Sequence, residues 1–281
     1  MVNRAASSQL GVQKIDRETY ADLTSLVYRM AGIKLGPQKE ALVIARVSKR
    51  MRQLGLADFR EYRDLVAADQ TGNEVVQLLD VITTNVTHFF REARHFELLA
   101  EIVRGWEKEG KTGLRIWSAA ASSGEEPYSI AITLCESLRN AADVRILATD
   151  LSTRVLGKAR AGVYDQRIAE KMPRHILLKY FDREGSRSEP EAYRVKDAVK
   201  RMVSFGRVNL ACPPFPLKGP MDVIFCRNAM MYFDGEVRRR LLAEFHRLTR
   251  PGGYLMVGHA ESLCGVASPF KSLEPSVYRK V

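Results

Sequence analysis

The chain has 281 residues, 46% of them hydrophobic and 27% charged, with a formal net charge of +11. This composition is typical of a globular protein of one or two domains. No apolar run approaches the roughly 18 residues that a bilayer crossing needs, so no membrane insertion is expected. The first residues lack an apolar signal core and the four cysteines form no C-x-x-C pair. We therefore expect a cytoplasmic protein without a metal.

Residues 1–90 are predicted to form a helical domain, because their apolar residues recur at helical spacing without a strand pattern. Helices are expected to open at 15–20 and to cover 38–54, 59–66 and 73–82. On the second helix, the predicted inward residues are Leu42, Ala45 and Val47. The predicted exposed side of this helix is basic and carries Arg46, Lys49, Arg50 and Arg52. Such a side is either a solvated face or a docking surface for an acidic partner.

Residues 83–92, TTNVTHFFRE, join this domain to the rest of the chain. Thr87 and Arg91 are four residues apart, so on a helix they would share a face. From the residues alone, the simplest role of Arg91 is an ion pair with Glu92 or Glu97.

From residue 114 strands alternate with helices, which predicts an α/β domain over 91–281 with a doubly wound, mostly parallel sheet. The predicted strands are 115–121, 144–149, 203–208, 222–226 and 254–257. The predicted helices are 127–138, 153–161 and 236–249, and the tail 277–281 suits an added edge strand. Residues 162–202 interrupt this alternation as a small inserted subdomain, with a helix over 168–181 and a charged loop over 182–191.

The segment 115–132, RIWSAAASSGEEPYSIAI, is predicted to be a strand, a loop of small residues and a helix. Pro127 is tolerated in the first helical turn because its missing N–H would be unpaired there anyway. Small side chains let the backbone approach a ligand at the helix N-terminus. Glu125 and Glu126 would repel a pyrophosphate at this place, and the pattern G-x-G-x-x-G is absent. A ligand with positive charge is therefore favoured.

Polar residues follow the predicted strands at the sheet edge where ligands of such folds bind. Asp150 follows the second strand, Asn209 the third, and Arg227 and Asn228 the fourth. Asp150 lies about one βα unit after the small-residue loop, as a ribose-binding carboxylate would. Its alternative role is a cap for the helix that starts near Ser152.

Several segments occur in the order found in the chemotaxis receptor glutamate methyltransferases, the CheR family. They are TTNVTHFFRE, RIWSAAASSGEEPYSIAI, LATD, VNL, FCRNAMMYFD and GHAES. The chain resembles this family over nearly its whole length. The resemblance implies a helical, substrate-docking N-terminal domain before a Rossmann-like methyltransferase domain. It also implies methyl transfer from S-adenosylmethionine to chemoreceptor glutamates, giving glutamyl methyl esters and S-adenosylhomocysteine in chemotaxis adaptation.

By motif, the resemblance implies cofactor contacts at Asn85, Thr87, Arg91, Glu125, Glu126, Asp150, Asn209, Leu210, Arg227 and Asn228. It makes Arg91 and Tyr232 the catalytic pair on the substrate side. A glutamate is already ionised near pH 7, so the reaction needs no general base and no metal. Positioning is the remaining task, with Tyr232 holding the substrate carboxylate and Arg91 orienting it.

The implied partner is the acidic cytoplasmic helical bundle of chemoreceptors. We expect a monomer, because no segment resembles a large dimer face. We also expect it to be recruited from the cytoplasm to membrane receptor arrays and to bind no nucleic acid. Family members that recognise a receptor C-terminal pentapeptide have a short glycine-containing turn in the inserted subdomain. Here the corresponding loop is charged and has only Gly185, so we expect a pentapeptide-independent enzyme.

Two other functions compete with this interpretation. A nucleic-acid methyltransferase suits the positive charge, but the sequence CPPF at 212–215 begins with the wrong residue and precedes the fourth strand. A non-enzymatic S-adenosylmethionine-binding module is disfavoured by the intact motif residues. His259 and Glu261 are interpreted as a structural hydrogen-bonding pair after the fifth strand, because methyl transfer to a carboxylate needs neither.

Overall fold

A computed structural model describes residues 14–83, 85–169, 171–185, 190–263 and 268–281. The chain splits into two compact units, Met1–Thr83 and Thr84–Val281. Within the described ranges, no helix combines the length and the apolar character that crossing a membrane requires.

Among its described residues, 14–83, the first unit contains four α-helices, namely α1 Arg17–Ala31, α2 Glu40–Leu54, α3 Phe59–Ala68 and α4 Asn73–Ile82. Asp16 begins α1 by accepting a hydrogen bond from the Thr19 N–H at 3.0 Å, and Gly32 ends it in the left-handed conformation. The predicted helical character of this region is confirmed.

The buried stripe of α2 differs from the predicted one. Val43, Val47 and Met51 are buried, at the four-residue spacing of one helix face. Val47 was predicted to face inward and does so, whereas Leu42 is half-buried and Ala45 is exposed.

The basic residues of α2 are also less uniform than expected. Arg50 is half-buried and forms a fork with Glu74, with Nε–Oε1 at 2.9 Å and Nη2–Oε2 at 2.6 Å. Arg46 is half-buried and donates to the carbonyl of Ile82. Of the four basic residues predicted on the exposed side, Lys49 and Arg52 are exposed, and the other two are half-buried.

The second unit contains ten strands and seven helices among its described residues. The strands are β1 Leu114–Ser118, β2 Val144–Asp150, β3 Val163–Asp165, β4 Phe181–Gly185, β5 Pro190–Val195, β6 Val203–Arg207, β7 Met221–Cys226, β8 Thr249–Val257, β9 Lys271–Glu274 and β10 Val277–Arg279. The helices are α5 Arg94–Lys108, α6 Glu125–Ser137, α7 Thr153–Ala161, α8 Gln166–Ala169, α9 Arg174–Tyr180, α10 Asp197–Lys200 and α11 Gly235–Leu248. The helix α5 was not among the predicted elements.

The main sheet has seven strands in the order β6-β2-β1-β7-β8-β10-β9. The strands from β6 to β8 are parallel, which confirms the predicted fold class. Successive residues of β1 belong to different hydrophobic clusters, Ile116 to one and Trp117 to the other. Because side chains alternate along a strand, both faces of the sheet are covered.

The tail strand lies inside the sheet rather than at its edge. β10 pairs antiparallel with β8 on one side and with β9 on the other, so β9 forms the edge. The Tyr278 hydroxyl accepts a hydrogen bond from the Leu263 N–H at 2.9 Å, which ties this strand to the chain after β8.

The inserted subdomain is a three-stranded antiparallel sheet in the order β3-β5-β4. The single helix predicted over 168–181 is instead two helices, α8 and α9, and Pro173 is the N-cap of the second. The predicted loop 182–191 consists mostly of strand residues of β4 and β5, and residues 186–189 lie outside the described part of the chain.

Candidate active site

The loop between β1 and α6 lies at the centre of the carboxyl edge of the main sheet, because β1 pairs with β2 and β7. Ala119 and Ala121 extend the strand ladder by donating to the carbonyls of Phe225 and Thr149, both at 2.8 Å. Gly124 has φ +99°, and a Cβ there would lie 2.8 Å from the Tyr164 hydroxyl. Only a glycine fits the start of α6 without displacing the protein around it.

Glu126 is fixed by two partners inside the protein. Its Oε1 accepts from the Ser118 hydroxyl at 2.7 Å, and its Oε2 pairs with Arg227 Nη1 at 3.1 Å. Burial raises the pKa of Glu126, and the charge of Arg227 opposes that rise. The first turn of α6 is therefore tied directly to the end of β7.

Arg227 is itself buried between two carboxylates. Its Nη2 lies 3.0 Å from Glu92 Oε2 and also donates to the backbone carbonyl of Arg91. Burial alone would raise the pKa of Glu92, but the charge and hydrogen bond of Arg227 outweigh it and lower this pKa. Three segments of the unit, before α5, at the start of α6 and after β7, thus meet at one guanidinium.

Glu125 occupies the other acidic position in the first turn of α6. It is 3% exposed, and its Oε2 accepts from the Ser123 hydroxyl at 2.7 Å. Burial raises the pKa of Glu125 despite this hydrogen bond. A cation placed beside this carboxylate would be stabilised, whereas an anion would be repelled.

Asp150, at the end of β2, bridges two loops. Its Oδ2 accepts from the Ser122 N–H at 2.8 Å and its Oδ1 from the Ser152 N–H at 2.9 Å. The cap of α7 is Ser152 itself, whose hydroxyl accepts from the Val155 N–H, so Asp150 is not the helix cap. A carboxylate offers about four acceptor positions, so these two bonds are compatible with further contacts to ribose hydroxyls.

Asn228 follows Arg227 in the left-handed conformation, with φ 58°. Glu261 holds this turn by accepting from the backbone N–H of Asn228, of Met231 at 3.0 Å and of Gly258 at 2.9 Å. A Cβ at Gly258 would lie 2.6 Å from Asn228 Nδ2 and 2.8 Å from Glu261 Oε2. The close approach of these two loops therefore requires a glycine.

The interpretation of His259 and Glu261 as a pair is wrong. Within the described residues, Glu261 binds backbone amides, whereas His259 Nε2 lies 3.9 Å from Glu92 Oε2. The ring of His259 packs against that of His95, with centroids 5.2 Å apart. Glu261 is structural as expected, but its partners are the chain after β7 and its own turn.

Thr87 and Arg91 do not lie on a helix, so their four-residue spacing does not give them a common helix face. Residues 85–93 have no helical turn, and Phe90 and Glu92 are left-handed, with φ 53° and 57°. Arg91 is half-buried, and its Nη1 donates to the Val86 carbonyl at 2.9 Å rather than to a neighbouring glutamate.

The remaining predicted site residues lie at the same edge of the sheet. The carbonyl of Asn85 accepts from the Ser122 hydroxyl at 3.0 Å. Asn209, just after β6, accepts from the Ala211 N–H at 3.1 Å through its Oδ1, and Leu210 is buried in the cluster that contains Trp117. Tyr232 is half-buried in a short 3-10 helix, Met230–Tyr232, that follows Asn228.

Two residues of this network were missed as site residues. Glu92 stands next to Arg91 within the quoted motif, yet the sequence offers only a local partner for it. Its actual partner, Arg227, is far away in the chain. Glu261 lies shortly after the end of β8 in the sequence. Nothing else in the sequence indicates that it binds three backbone amides.

The residues around the small-residue loop suit S-adenosylmethionine. The buried carboxylates Glu125 and Glu126, with the half-buried Asp150, outnumber the single buried guanidinium of Arg227 at this edge. This excess of negative charge matches the ammonium and sulfonium of that molecule and disfavours a phosphate ligand.

Comparisons with known proteins agree with this site. A family model described as the SAM binding domain of CheR methyltransferase matches residues 85–279, and one described as the CheR methyltransferase all-alpha domain matches residues 18–83. The chain is 39% identical over 257 residues to the chemotaxis protein methyltransferase of Escherichia coli, covering 91% of this chain and 88% of that protein. It is 40% identical over 263 residues to chemotaxis protein methyltransferase 2 of Pseudomonas aeruginosa, covering 93% and 92%. The chain therefore belongs to the CheR methyltransferase family.

Proposed function

We propose that this protein transfers the methyl group of S-adenosylmethionine to glutamate side chains of chemoreceptors, forming glutamyl methyl esters. The observation that carries the proposal is the buried acidic turn of Glu125 and Glu126 at the centre of the sheet's carboxyl edge. Family membership and relatives named as chemotaxis methyltransferases support the same reaction.

The cofactor would be held at several points around the small-residue loop. We assign the ribose to Asp150, the adenine to Asn209 and Leu210, and the methionine moiety to the acidic turn of α6. Asn85, Thr87, Arg91, Arg227 and Asn228 complete this proposed set. When bound, S-adenosylmethionine would supply a methyl group on a positively charged sulfur. The substrate carboxylate oxygen would bond to the methyl carbon as the carbon–sulfur bond breaks, and S-adenosylhomocysteine would leave.

The side chains of this protein position the reacting carboxylate rather than activate it. A substrate glutamate has an ordinary pKa of about 4.3 and is ionised near neutral pH. Tyr232 donates a hydrogen bond that holds the carboxylate, and Arg91 draws it in and orients it. A strong ion pair with Arg91 would weaken the nucleophile, so we expect orientation at a distance rather than a tight fork.

The proposed partner is the acidic cytoplasmic helical bundle of a chemoreceptor. The net charge of +11 suits such a surface, and Lys49 and Arg52 are exposed on α2. We propose a cytoplasmic monomer that is recruited to membrane receptor arrays by this charge complementarity. The charged residues around Gly185 in the inserted subdomain support recognition without a receptor pentapeptide.

The test combines the purified protein, tritiated S-adenosylmethionine and cytoplasmic fragments of chemoreceptors with and without their C-terminal tails. We expect label that is released as methanol by base, because methyl esters are base-labile, and equal initial rates on both fragments. Base-stable label would contradict glutamate esterification. A rate that depends on the tail would contradict pentapeptide independence alone.

The docking surface is tested separately with Arg52→Glu and Lys49→Glu. Charge reversal there should raise the KM for the receptor fragment and reduce its dependence on salt, with the Kd for S-adenosylmethionine unchanged. A matched control is Arg139→Glu, another exposed charge reversal, in the second unit. An equal rise in KM for the control would show that net charge alone, and not α2, attracts the receptor.

A further inference from the structure

One carboxylate and two imidazoles meet beside the guanidinium of Arg227. The ligand-type atoms of Glu92, His95 and His259 all lie within 4.8 Å of one another. Glu92 precedes α5 and His95 lies in its first turn, so these two are close in sequence. His259 follows β8, and the fold brings it to the other two. The sequence, judged by its cysteines, predicts no metal and gives no sign of this cluster.

A contact between Nε2 and Ser276 fixes the orientation of the His95 ring. Its Nε2 lies 2.9 Å from the Ser276 hydroxyl, and Ser276 donates its single hydrogen to the Pro275 carbonyl at 2.6 Å. With that hydrogen donated to Pro275, the Ser276 hydroxyl oxygen accepts from His95 Nε2 in the tautomer that carries its proton on Nε2. In a neutral ring the other nitrogen, Nδ1, then carries a lone pair.

In this tautomer the Nδ1 lone pair of His95 faces the Glu92 carboxylate. His95 is 1% exposed, and its Nδ1 has no hydrogen-bond partner among the described residues. The atom nearest to it in the cluster is Glu92 Oε2, 3.5 Å away. Glu92 Oε2 already pairs with Arg227 Nη2 at 3.0 Å and accepts from the His259 backbone N–H at 3.3 Å. The buried His95 Nδ1 has no such partner in the described part of the chain, and a bound cation would supply one.

The spacing of the cluster suits a small divalent ion. Zinc binds imidazole nitrogen and carboxylate oxygen at about 2.0–2.2 Å in a tetrahedron, which separates neighbouring ligand atoms by about 3.3–3.6 Å. Here Glu92 Oε2 lies 3.5 Å from His95 Nδ1 and 3.9 Å from His259 Nε2. His259 is mostly exposed, with 57% of its side chain accessible, so its ring can adjust and an ion can enter from solvent.

The surrounding charges do not forbid an ion. Arg227 lies 3.0 Å from the same Glu92 oxygen and opposes a cation, but its other terminal nitrogen pairs with Glu126. Two carboxylates therefore face one guanidinium. Metal-binding histidines usually have a hydrogen-bond partner on their second nitrogen, and the Ser276 hydroxyl occupies that position for His95.

We propose that Glu92, His95 and His259 form a binding site for a divalent transition-metal ion of the Zn²⁺ type, with its fourth coordination position open to solvent. The ligands are His95 Nδ1, His259 Nε2 and Glu92 Oε2. None of these three ligands is itself a proposed cofactor contact, but Glu92 borders that set through Arg227, 3.0 Å away, and Asn228 Nδ2, 3.5 Å away.

The test uses the full chain without any affinity tag, titrated calorimetrically with Zn²⁺ and followed by visible absorption with Co²⁺. We expect one ion per chain and the absorption bands of four-coordinate Co²⁺. His259→Ala should weaken binding by 10-fold or more, and because this side chain is exposed the variant should keep its fold, as circular dichroism checks. Ser276→Ala should weaken binding by about 10- to 100-fold through loss of the orienting contact.

The matched control is His88→Ala, which removes an exposed histidine outside the cluster and should leave binding unchanged. The proposal is overturned if the wild-type protein binds no Zn²⁺ beyond the level of His259→Ala. It is equally overturned if His88→Ala weakens binding as much as His259→Ala, because the ion would then bind at scattered surface histidines.

Discussion

Arg227 Nη1 lies 3.1 Å from Glu126 Oε2 in an ion pair whose side chains are 2% and 10% exposed. This pair joins the end of β7 to the first turn of α6, and the second nitrogen of the same guanidinium holds Glu92. The conformation of the proposed cofactor site therefore depends on one buried cation.

Replacing Arg227 with methionine should destabilise the protein strongly. The change leaves Glu126 buried without its cationic partner, and removing one member of a buried pair typically costs about 3–5 kcal/mol. Equilibrium urea unfolding measures this loss, and the double variant Arg227→Met/Glu126→Gln should recover part of it. A loss below about 1 kcal/mol in the single variant would show that the pair is not important for stability.

The control for this experiment is Arg94→Met. Arg94 also faces several carboxylates, among them Glu97 and Glu101, but its side chain is 47% exposed. Exposed ion pairs contribute about 0.2–1 kcal/mol, so this variant should unfold almost as the wild type does.

Adding a methyl group at Gly258 should disturb the turn at Asn228. In Gly258→Ala the new Cβ would lie 2.6 Å from Asn228 Nδ2 and 2.8 Å from Glu261 Oε2. The loops after β7 and β8 would have to separate, with an overpacking cost of about 1–3 kcal/mol. We expect weaker S-adenosylmethionine binding by calorimetry together with a lower melting temperature.

Gly235→Ala tests whether this effect is specific. A Cβ at Gly235, the first residue of α11, meets nothing within 4 Å. Alanine restricts the unfolded chain and favours the helix, so this variant should be as stable as the wild type or more stable. If both variants lost cofactor affinity, the close approach at Gly258 would not be the cause.

Replacing Tyr232 with phenylalanine should slow turnover without weakening cofactor binding. The proposed hydrogen bond to a substrate carboxylate is worth about 1.5–3 kcal/mol, which corresponds to a loss in kcat of roughly 10- to 100-fold. Initial rates of base-labile labelling and a calorimetric Kd separate the two effects. Tyr254→Phe serves as the control. Tyr254 lies in β8 and packs against Trp106 of α5. Normal turnover in Tyr232→Phe would remove this hydroxyl from the mechanism.

Glu244 in α11 should make stability sensitive to acid. Hydrogen bonds from Arg247, and then from the Phe215 N–H, lower the pKa of Glu244 although burial opposes them. The folded-state pKa lies below the unfolded value of about 4.3, so its contribution is complete above that pH and disappears as the pH falls through the folded value. Glu244→Gln should therefore cost on the order of 1.5 kcal/mol at neutral pH and progressively less below about pH 4.

Thermal unfolding between pH 7 and pH 3 measures this difference. Glu236→Gln is the matched control on the same helix, because Glu236 is 57% exposed and pairs with Arg239 at the surface. A gap between wild type and Glu244→Gln that stays constant over the whole pH range would contradict the assigned role of Glu244.

Much of the fold could be predicted because its signals are local. The strand, small-residue loop and helix around Gly124 are continuous in sequence, so their residue types specify them directly. The insertion was harder, since Pro173 divides an apolar pattern that is otherwise continuous and helical. The position of β10 could not be read from its alternating residues, because alternation indicates a strand but not its neighbours.

In the candidate site, too, residues with a local sequence signal could be predicted and long-range contacts could not. Asp150 and Glu126 could be predicted to lie at this edge because Asp150 ends a strand and Glu126 lies in the first turn of a helix. Glu92 and Arg227 come together only when β7 and the segment before α5 reach the same edge, which no spacing rule encodes. The four-residue spacing of Thr87 and Arg91 would place them on one face only if the segment were helical, and left-handed conformations at Phe90 and Glu92 interrupt it instead.

The placement of β10 between β8 and β9 also constrains the order of folding during synthesis. The helices of the first unit are complete once residue 82 has been made, whereas the main sheet lacks an internal strand until residue 279. Until β10 is made, β8 lacks its partner on that side, and unpaired strand edges are prone to aggregation. A ribosome stalled between β8 and β10 would therefore hold a folded helical unit followed by an aggregation-prone sheet.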